Sequence, residues 1–536
     1  MYKSAVNRQL AFDDFNQSCG MQLDPRNEWC ILAGRIDWSA AETRYAACFK
    51  SGKGHPAVPL RQAMGALIIQ KRMGLSDRAL VKAIAENPYY QFFIGLSSFS
   101  VKCPFTYSTL ALFRRRITAE MLMVANEAFL KDSPSTPEHR DAQPREKAAP
   151  SPEAGADGVA GTLILDATCS PVDIRFPQDF SLLNEAREKT DEIIDVLHRQ
   201  VAAKGERHPR TYREVLRKAY LGMSKAKKRP ANKMRALVRK LLLALARNLG
   251  FIEALLARGG RLTGRQARML DTIDELYRQQ KEMFDEHKHR VDSRIVSISQ
   301  PHVRPIVRGK AKSPVEFGPK YDVSIDEKGH ARLEKASFEP YDECGVFKDA
   351  VERYRARTGH YPARALVDRI YRTRENRGFC KEHGITMCGR GPGRPARQDR
   401  ESRRSEARDE TDRIEAERFF SREKRTCGAA LLVTRLAETT LASLALSVFV
   451  ANLFGIPVTG FFCALFPGAA GRPRKVAFDR VFRYHGLTRR HRRNAHGIGY
   501  GAKRMAGEAV HSPGKVCTWL KEDILISRHY FKVFSE

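Results

Sequence analysis

The chain has 536 residues, 42% of them hydrophobic, enough for two to four domains with at least one large core, and this excludes an intrinsically disordered protein. Lys and Arg outnumber Asp and Glu by 94 to 62, a formal net charge of +32, so the surface field is strongly positive and nucleic acid is the leading partner. The 11 cysteines include no CxxC pair and the amino terminus has no apolar signal core, which points to a reducing, cytoplasmic setting and away from a disulfide scaffold or a structural zinc site.

Residues 1–130 read as a helical domain suited to DNA. Over 59–73 the apolar positions Leu60, Met64, Leu67 and Ile68 recur at helical spacing, Gly74-Leu75 supplies a turn, and Ser76-Asp77 caps a second helix that stops at Asn87-Pro88. This is helix-turn-helix spacing. A third helix follows Pro104, and its Arg114, Arg115 and Arg116 form a basic row suited to phosphates. An ordinary helical bundle with a solvated basic face has the same pattern. Residues 131–159, rich in Pro and Ala, read as a flexible linker.

Residues 160–455 read as a sheet domain split by helices. The nearly continuous apolar run Thr162-Leu-Ile-Leu-Asp166 predicts a central strand, covered on both faces, with a carboxylate at its end. Residues 179–290 are helical throughout and carry basic clusters such as Lys227-Lys228-Arg229. Strands are expected at 294–300, 320–325 and 330–338, the last two forming a hairpin around Asp326-Glu-Lys-Gly329. A helix over 347–357, a short strand over 363–368 ending in Asp368, a helix through Lys381 and a strand over 385–388 complete the series.

The segment 413–424 is the last element needed. As a helix it brings Arg413, Glu417 and Lys424 within about 40° of one another, beside an apolar arc of Ala416, Phe419, Phe420 and Cys427. A solvated charged face would also produce this row. The uncharged run that begins near Thr439 is broken by Asn452, Gly455, Pro457 and Gly460, so a buried helix over 436–453 is expected and no membrane span. Residues 456–536 form a basic extension with weak apolar periodicity.

Strand with Asp, helical insertion, strands, helix, strand with Asp, helix with Glu is the order of a ribonuclease H-like α/β fold, preceded here by an all-α helix-turn-helix-like domain. Three convergent carboxylates, Asp166, Asp368 and Glu417, suit two hard divalent ions placed about 3.5–4 Å apart on a phosphodiester. Asp173 and Glu415 are the nearby acids most easily confused with them.

The stretches Leu165-Asp166-Ala-Thr, the segment from Asp173 to Lys189, the segment from Gln300 to Lys310 and Val367-Asp368-Arg-Ile-Tyr371 resemble a DDE transposase of bacterial insertion sequences. The group is the one with an InsH-type amino-terminal domain, to which 58–117 is similar. In that family the glutamate helix carries Arg, three residues, Glu, six residues, Lys, and Arg413, Glu417 and Lys424 keep that spacing. The resemblance implies Mg²⁺ as cofactor (two ions, with Mn²⁺ able to substitute) on Asp166, Asp368 and Glu417. It also implies DNA contacts by Arg413, Lys424 and Tyr371, with double-stranded element ends and target DNA as partners. A homodimer or higher assembly on DNA and a nucleoid-associated location follow from the same likeness.

The implied activity is binding of terminal inverted repeats followed by cleavage and strand transfer. A catalytically silent DNA-binding regulator and a metal nuclease without joining are the alternatives. The family's pattern is departed from at Glu410, where tyrosine is frequent, and at Ile370, where glycine is common. The insertion also lacks the tryptophan of relatives that use a DNA hairpin, since Trp29, Trp38 and Trp519 all lie outside it.

Overall fold

The computed structural model describes residues 22–49, 56–131, 158–307, 315–389 and 400–455. Residues 132–157 of the linker expected at 131–159, the whole 391–395 loop and the whole carboxy-terminal extension lie outside them. Helices α1 (Glu28–Arg35), α2 (Glu42–Ala47), α3 (Leu60–Met73), α4 (Asp77–Glu86), α5 (Pro88–Phe93), α6 (Thr109–Arg116) and α7 (Ala119–Lys131) make up the amino-terminal part. α3 and α4 are joined as the sequence predicts. Gly74 takes the left-handed conformation after α3, at φ 63°, and the Ser76 side chain accepts from the Ala79 amide to cap α4.

A sheet follows, built from β1 (Thr162–Cys169), β4 (Lys320–Asp326), β5 (Ala331–Ser337), β6 (Arg364–Val367) and β7 (Thr386–Met387). Two short strands, β2 (Pro305–Val307) and β3 (Val315–Phe317), pair separately. The five-stranded order is β5-β4-β1-β6-β7. β4 runs antiparallel to β1 and β5, while β1, β6 and β7 are parallel. β1 is thus central, which is why its inward positions are all apolar or small.

Between β1 and β2 stand α8 (Asp179–Val201), α9 (Arg213–Lys225), α10 (Ala231–Ala257) and α11 (Gly264–Asp285). Their apolar faces close over Leu183, Leu241, Leu245, Ile273 and Leu276. A buried polar rung, Asn248 donating to Thr190 Oγ1 and Asp191 Oδ1, fixes the register of α10 on α8. Residues 294–300 are not the expected strand. Ile295 and Ile298 are buried against the helices and Val296 in the main core, with the Ile295 amide donating to the Gln279 side chain instead of to a neighbouring strand.

The remaining helices are α12 (Phe347–Thr358), α13 (Arg374–Glu382), α14 (Arg400–Thr426) and α15 (Ala437–Leu453). α15 is buried along most of its length, and its Asn452 donates to Asn126 Oδ1 of α7 and to the Ala331 carbonyl of β5. No helix among the described residues is long and apolar enough to cross a membrane. Trp29, Phe93, Leu165, Val367 and Phe449 belong to one continuous core, so the amino-terminal helices and the sheet share an interior.

Candidate active site

Strand register places the two aspartates together. β1 and β6 are parallel with Leu165 opposite Val367. The next residue is an aspartate in each case, Asp166 within β1 and Asp368 just past the end of β6, where its backbone is still extended. Residues two apart on a strand share a face, so Thr162, Asp166 and Thr168 point to the same side as Arg364 and Asp368.

Two contacts identify that side as the one under α14. At one end Arg364 donates to Asp409 Oδ1 and Asp412 Oδ2 of α14, at 2.9 and 3.1 Å, and to Thr162 Oγ1. At the other, Lys424 Nζ donates to Thr168 Oγ1 and the Cys169 carbonyl, both at 2.8 Å. α14 therefore runs along the strands above both aspartates. Glu417 is exposed on its edge. At about 1.5 Å of rise per helical residue against about 3.3 Å per strand residue, it stands roughly one helical turn short of the Asp166 level.

The electrostatics agree with this placement. Half-buried Asp166 is pushed up to about 6, first by burial, then by its neighbour Asp368 and by Glu343, while its own backbone contact to the Ala167 amide and the Arg413 guanidinium pull the other way. Asp368 is exposed and its Oδ1 accepts from the Arg369 amide at 2.7 Å, capping the turn that follows β6. Among the described residues, no group of three acidic, His or Cys side chains is close enough to hold a metal. The pair alone nevertheless fits Mg²⁺, which takes one or two carboxylates and fills its remaining positions with water and phosphate oxygens.

The other sequence candidates are placed as follows. Tyr371, expected on DNA, is fully buried with its hydroxyl on Asp322, so it presents no surface to a ligand. Arg114 is committed to Asp77 of α4 and to Gln70 Oε1 of α3. Arg116 lies over the Phe49 ring, 4.4 Å from its centre, and Arg115 is exposed. Glu415 pairs with Arg418 at 3.3 Å. Asp173 is exposed, and its backbone bonds to Leu432 and to Gln300.

Glu423 was not a sequence candidate. It is fully buried, accepts from the Tyr321 hydroxyl at 2.8 Å, and its Oε1 has no hydrogen-bond partner. Burial pushes its carboxyl up to about 7, against the Tyr321 contact and the nearby Lys424 and Lys71. Lys71 of α3 reaches the Gly428 carbonyl just after α14, at 3.2 Å. Its ammonium is pushed down to about 8, chiefly by burial, with Glu423 opposing. The available signal was position: Glu423 falls four residues after Phe419 and four before Cys427, inside the apolar arc.

Two family models match the chain: Transposase domain (DUF772) over residues 17–116 and Transposase DDE domain over residues 365–454. Together the two matches support a DDE-type insertion-sequence transposase. The second match contains Asp368, Arg413, Glu417 and Lys424, while Asp166 precedes it. A curated relative, the uncharacterized protein ORF8 in nfe locus of Rhizobium meliloti, is 31% identical over 130 residues. Those residues are 24% of this chain and 62% of the relative. No solved structure matches.

Proposed function

We propose that this chain binds the double-stranded ends of its own mobile element and catalyses metal-dependent cleavage followed by strand transfer to target DNA. The observation that carries the reading is that Asp166 and Asp368 are electrostatic neighbours at the adjoining ends of β1 and β6 beneath α14, within a chain matched by two transposase domains. The strand order supports a ribonuclease H-like assignment: an antiparallel trio β5-β4-β1 extended by parallel β6 and β7.

Asp166 and Asp368 would hold the divalent ions, with Glu417 as third carboxylate once α14 settles over the substrate. Bound metal supplies activation of the attacking oxygen and stabilisation of the leaving one. The chain's own part is positional. β1 and β6 fix the aspartates side by side, Arg413 lies within electrostatic range of Asp166, and Lys424 holds α14 to the end of β1. The charge of +32 favours DNA by phosphate neutralisation and counterion release.

The test uses labelled duplexes made from the DNA bordering the gene, incubated with the full chain and Mg²⁺ or Mn²⁺. Metal-dependent nicking at a fixed position and joined products are expected. Nicking without joining would leave a nuclease, and binding without nicking a regulator.

A further inference from the structure

The turn that follows Asp368 is anchored on the far side of the sheet. Arg369–Tyr371 form a single tight turn, closed by the Tyr371 amide donating to the Asp368 carbonyl at 3.1 Å. Asp368 is exposed at its start and Tyr371 is fully buried at its end. The Tyr371 hydroxyl donates to Asp322 Oδ1 of β4. In the sheet order β1 stands between β4 and β6, so this one hydrogen bond spans the strand that carries Asp166.

Register fixes where the span lies. Asp322 is opposite Ala167, the residue after Asp166. Successive residues of a strand face opposite ways, so Asp322 lies on the side away from α14 and Tyr371 passes beneath the end of the sheet to meet it. Tyr371 is within electrostatic range of Asp166 as well.

The anchor is built on both sides. Asp322 is fully buried, and its Oδ2 accepts from the Tyr341 hydroxyl while its Oδ1 accepts from Tyr371. A buried carboxylate persists only where its oxygens are hydrogen-bonded in this way. A shift in the pairing of β4 with β5 falls between Asp322 and Val323, an irregularity of the kind that re-aims a side chain beside a site. Asn376 of α13 donates to the Tyr371 and Cys344 carbonyls, both at 2.9 Å, and Arg372 donates twice to the Val367 carbonyl, at 2.8 and 3.1 Å. The carbonyls before and after the Asp368 turn are thereby held. A phenyl ring would fill the space of Tyr371 with no buried charge beneath it, so the hydroxyl and its carboxylate serve something other than packing.

We propose that Tyr371, seated on Asp322, is the positioning residue of Asp368, setting the distance of that carboxylate from Asp166 while touching neither metal nor DNA. The inference rests on the two-aspartate metal reading above. Tyr371 acts through the backbone, because the chain cannot turn at Asp368 while the ring three residues on is fixed. Groups that orient metal ligands are worth about 10–100-fold in metal affinity, and a misplacement of about 1 Å can cost about a hundredfold in rate.

The test titrates the full chain with Mn²⁺, read by electron paramagnetic resonance of the free ion and by melting temperature, beside single-turnover cleavage of end duplexes. Tyr371→Phe keeps the ring and removes the hydroxyl. It should raise the Mn²⁺ concentration at half-saturation about tenfold and slow cleavage, with end-DNA affinity unchanged, and excess Mn²⁺ should restore part of the rate. Tyr341→Phe takes the other hydroxyl from the same carboxylate, but Tyr341 is outside the Asp368 turn. It should lower the melting temperature and leave the half-saturation near that of the wild type. Wild-type Mn²⁺ dependence in Tyr371→Phe, or the same shift in both variants, would overturn the inference. Unchanged Mn²⁺ binding by Asp368→Asn would instead sink the two-aspartate reading, and the positioning role with it.

Discussion

Lys424 Nζ donates to Thr168 Oγ1 at 2.8 Å, and so fastens the carboxy-terminal end of α14 to the strand that bears Asp166. The same ammonium reaches the Cys169 carbonyl. Read from spacing alone, Lys424 is a hand extended to DNA; in the structure it is a strut between helix and strand.

Removing the strut tests that role. Charge-assisted hydrogen bonds contribute about 1.5–3 kcal/mol each, so Lys424→Met should lower unfolding stability by about 2 kcal/mol and reduce cleavage at least tenfold. Lys424→Arg should recover part of both. Denaturant unfolding alongside the cleavage assay measures this. Wild-type stability in Lys424→Met would show that the ammonium is not structural.

Glu423 provides a pH prediction. Its folded carboxyl titrates at about 7 against an ordinary 4.5. The folded chain therefore retains a proton that the unfolded chain releases between those values. Stability from this group is full below pH 4.5, declines as pH rises to 7 and is level above it, a change on the order of 3 kcal/mol at most. Glu423→Gln keeps an acceptor for Tyr321 without the charge. Melting temperatures between pH 4.5 and 7.5 should fall less steeply in this variant than in the wild type. Parallel curves would show that the buried carboxyl does not titrate there.

Much of the sheet was legible because apolar runs ending in Asp read the same way in sequence and in structure, as at Leu163–Asp166 and Leu366–Asp368. The parallel register that makes those two residues neighbours is a tertiary fact with no local signature. The 294–300 run misleads because Ile295 and Ile298 bury against helices and Val296 in the main core, and burial alone does not distinguish a strand from a packed loop. Tyr371 and Glu423 were misread or missed for a shared reason: each is polar by composition but buried by one specific partner, Asp322 or Tyr321.

The basic row of α6 divides into parts with different consequences. Arg114 ties α6 to α4 and α3, so Arg114→Ala removes the ion-pair partner of Asp77, leaving it only the Gln70 amide, and should cost about 1–3 kcal/mol of stability. Arg115 is exposed, and Arg115→Ala should leave stability unchanged while lowering the salt slope of end-DNA binding by about 1. Filter binding across a salt series, with a thermal melt of each variant, separates the two. An unchanged slope for Arg115→Ala would remove α6 from the DNA surface.

The choice among acids is the last prediction. Asp166 and Asp368 are neighbours, Glu343 lies within electrostatic range of Asp166, and Glu417 stands exposed on α14. If the aspartate pair holds the metal, Mg²⁺ or Mn²⁺ should raise the melting temperature of the wild type, since a ligand that binds only the folded chain stabilises it by about 2.7 kcal/mol at a hundred times its Kd. Asp166→Asn and Asp368→Asn should each abolish that rise together with cleavage, while end binding persists. Glu417→Gln should abolish cleavage but keep most of the melting shift, because it completes the site only when α14 meets substrate. Glu415→Gln should cleave like the wild type. Glu343→Gln decides the remaining alternative: loss of the melting shift there, with full cleavage by Glu417→Gln, would move the third carboxylate from α14 to the turn before α12.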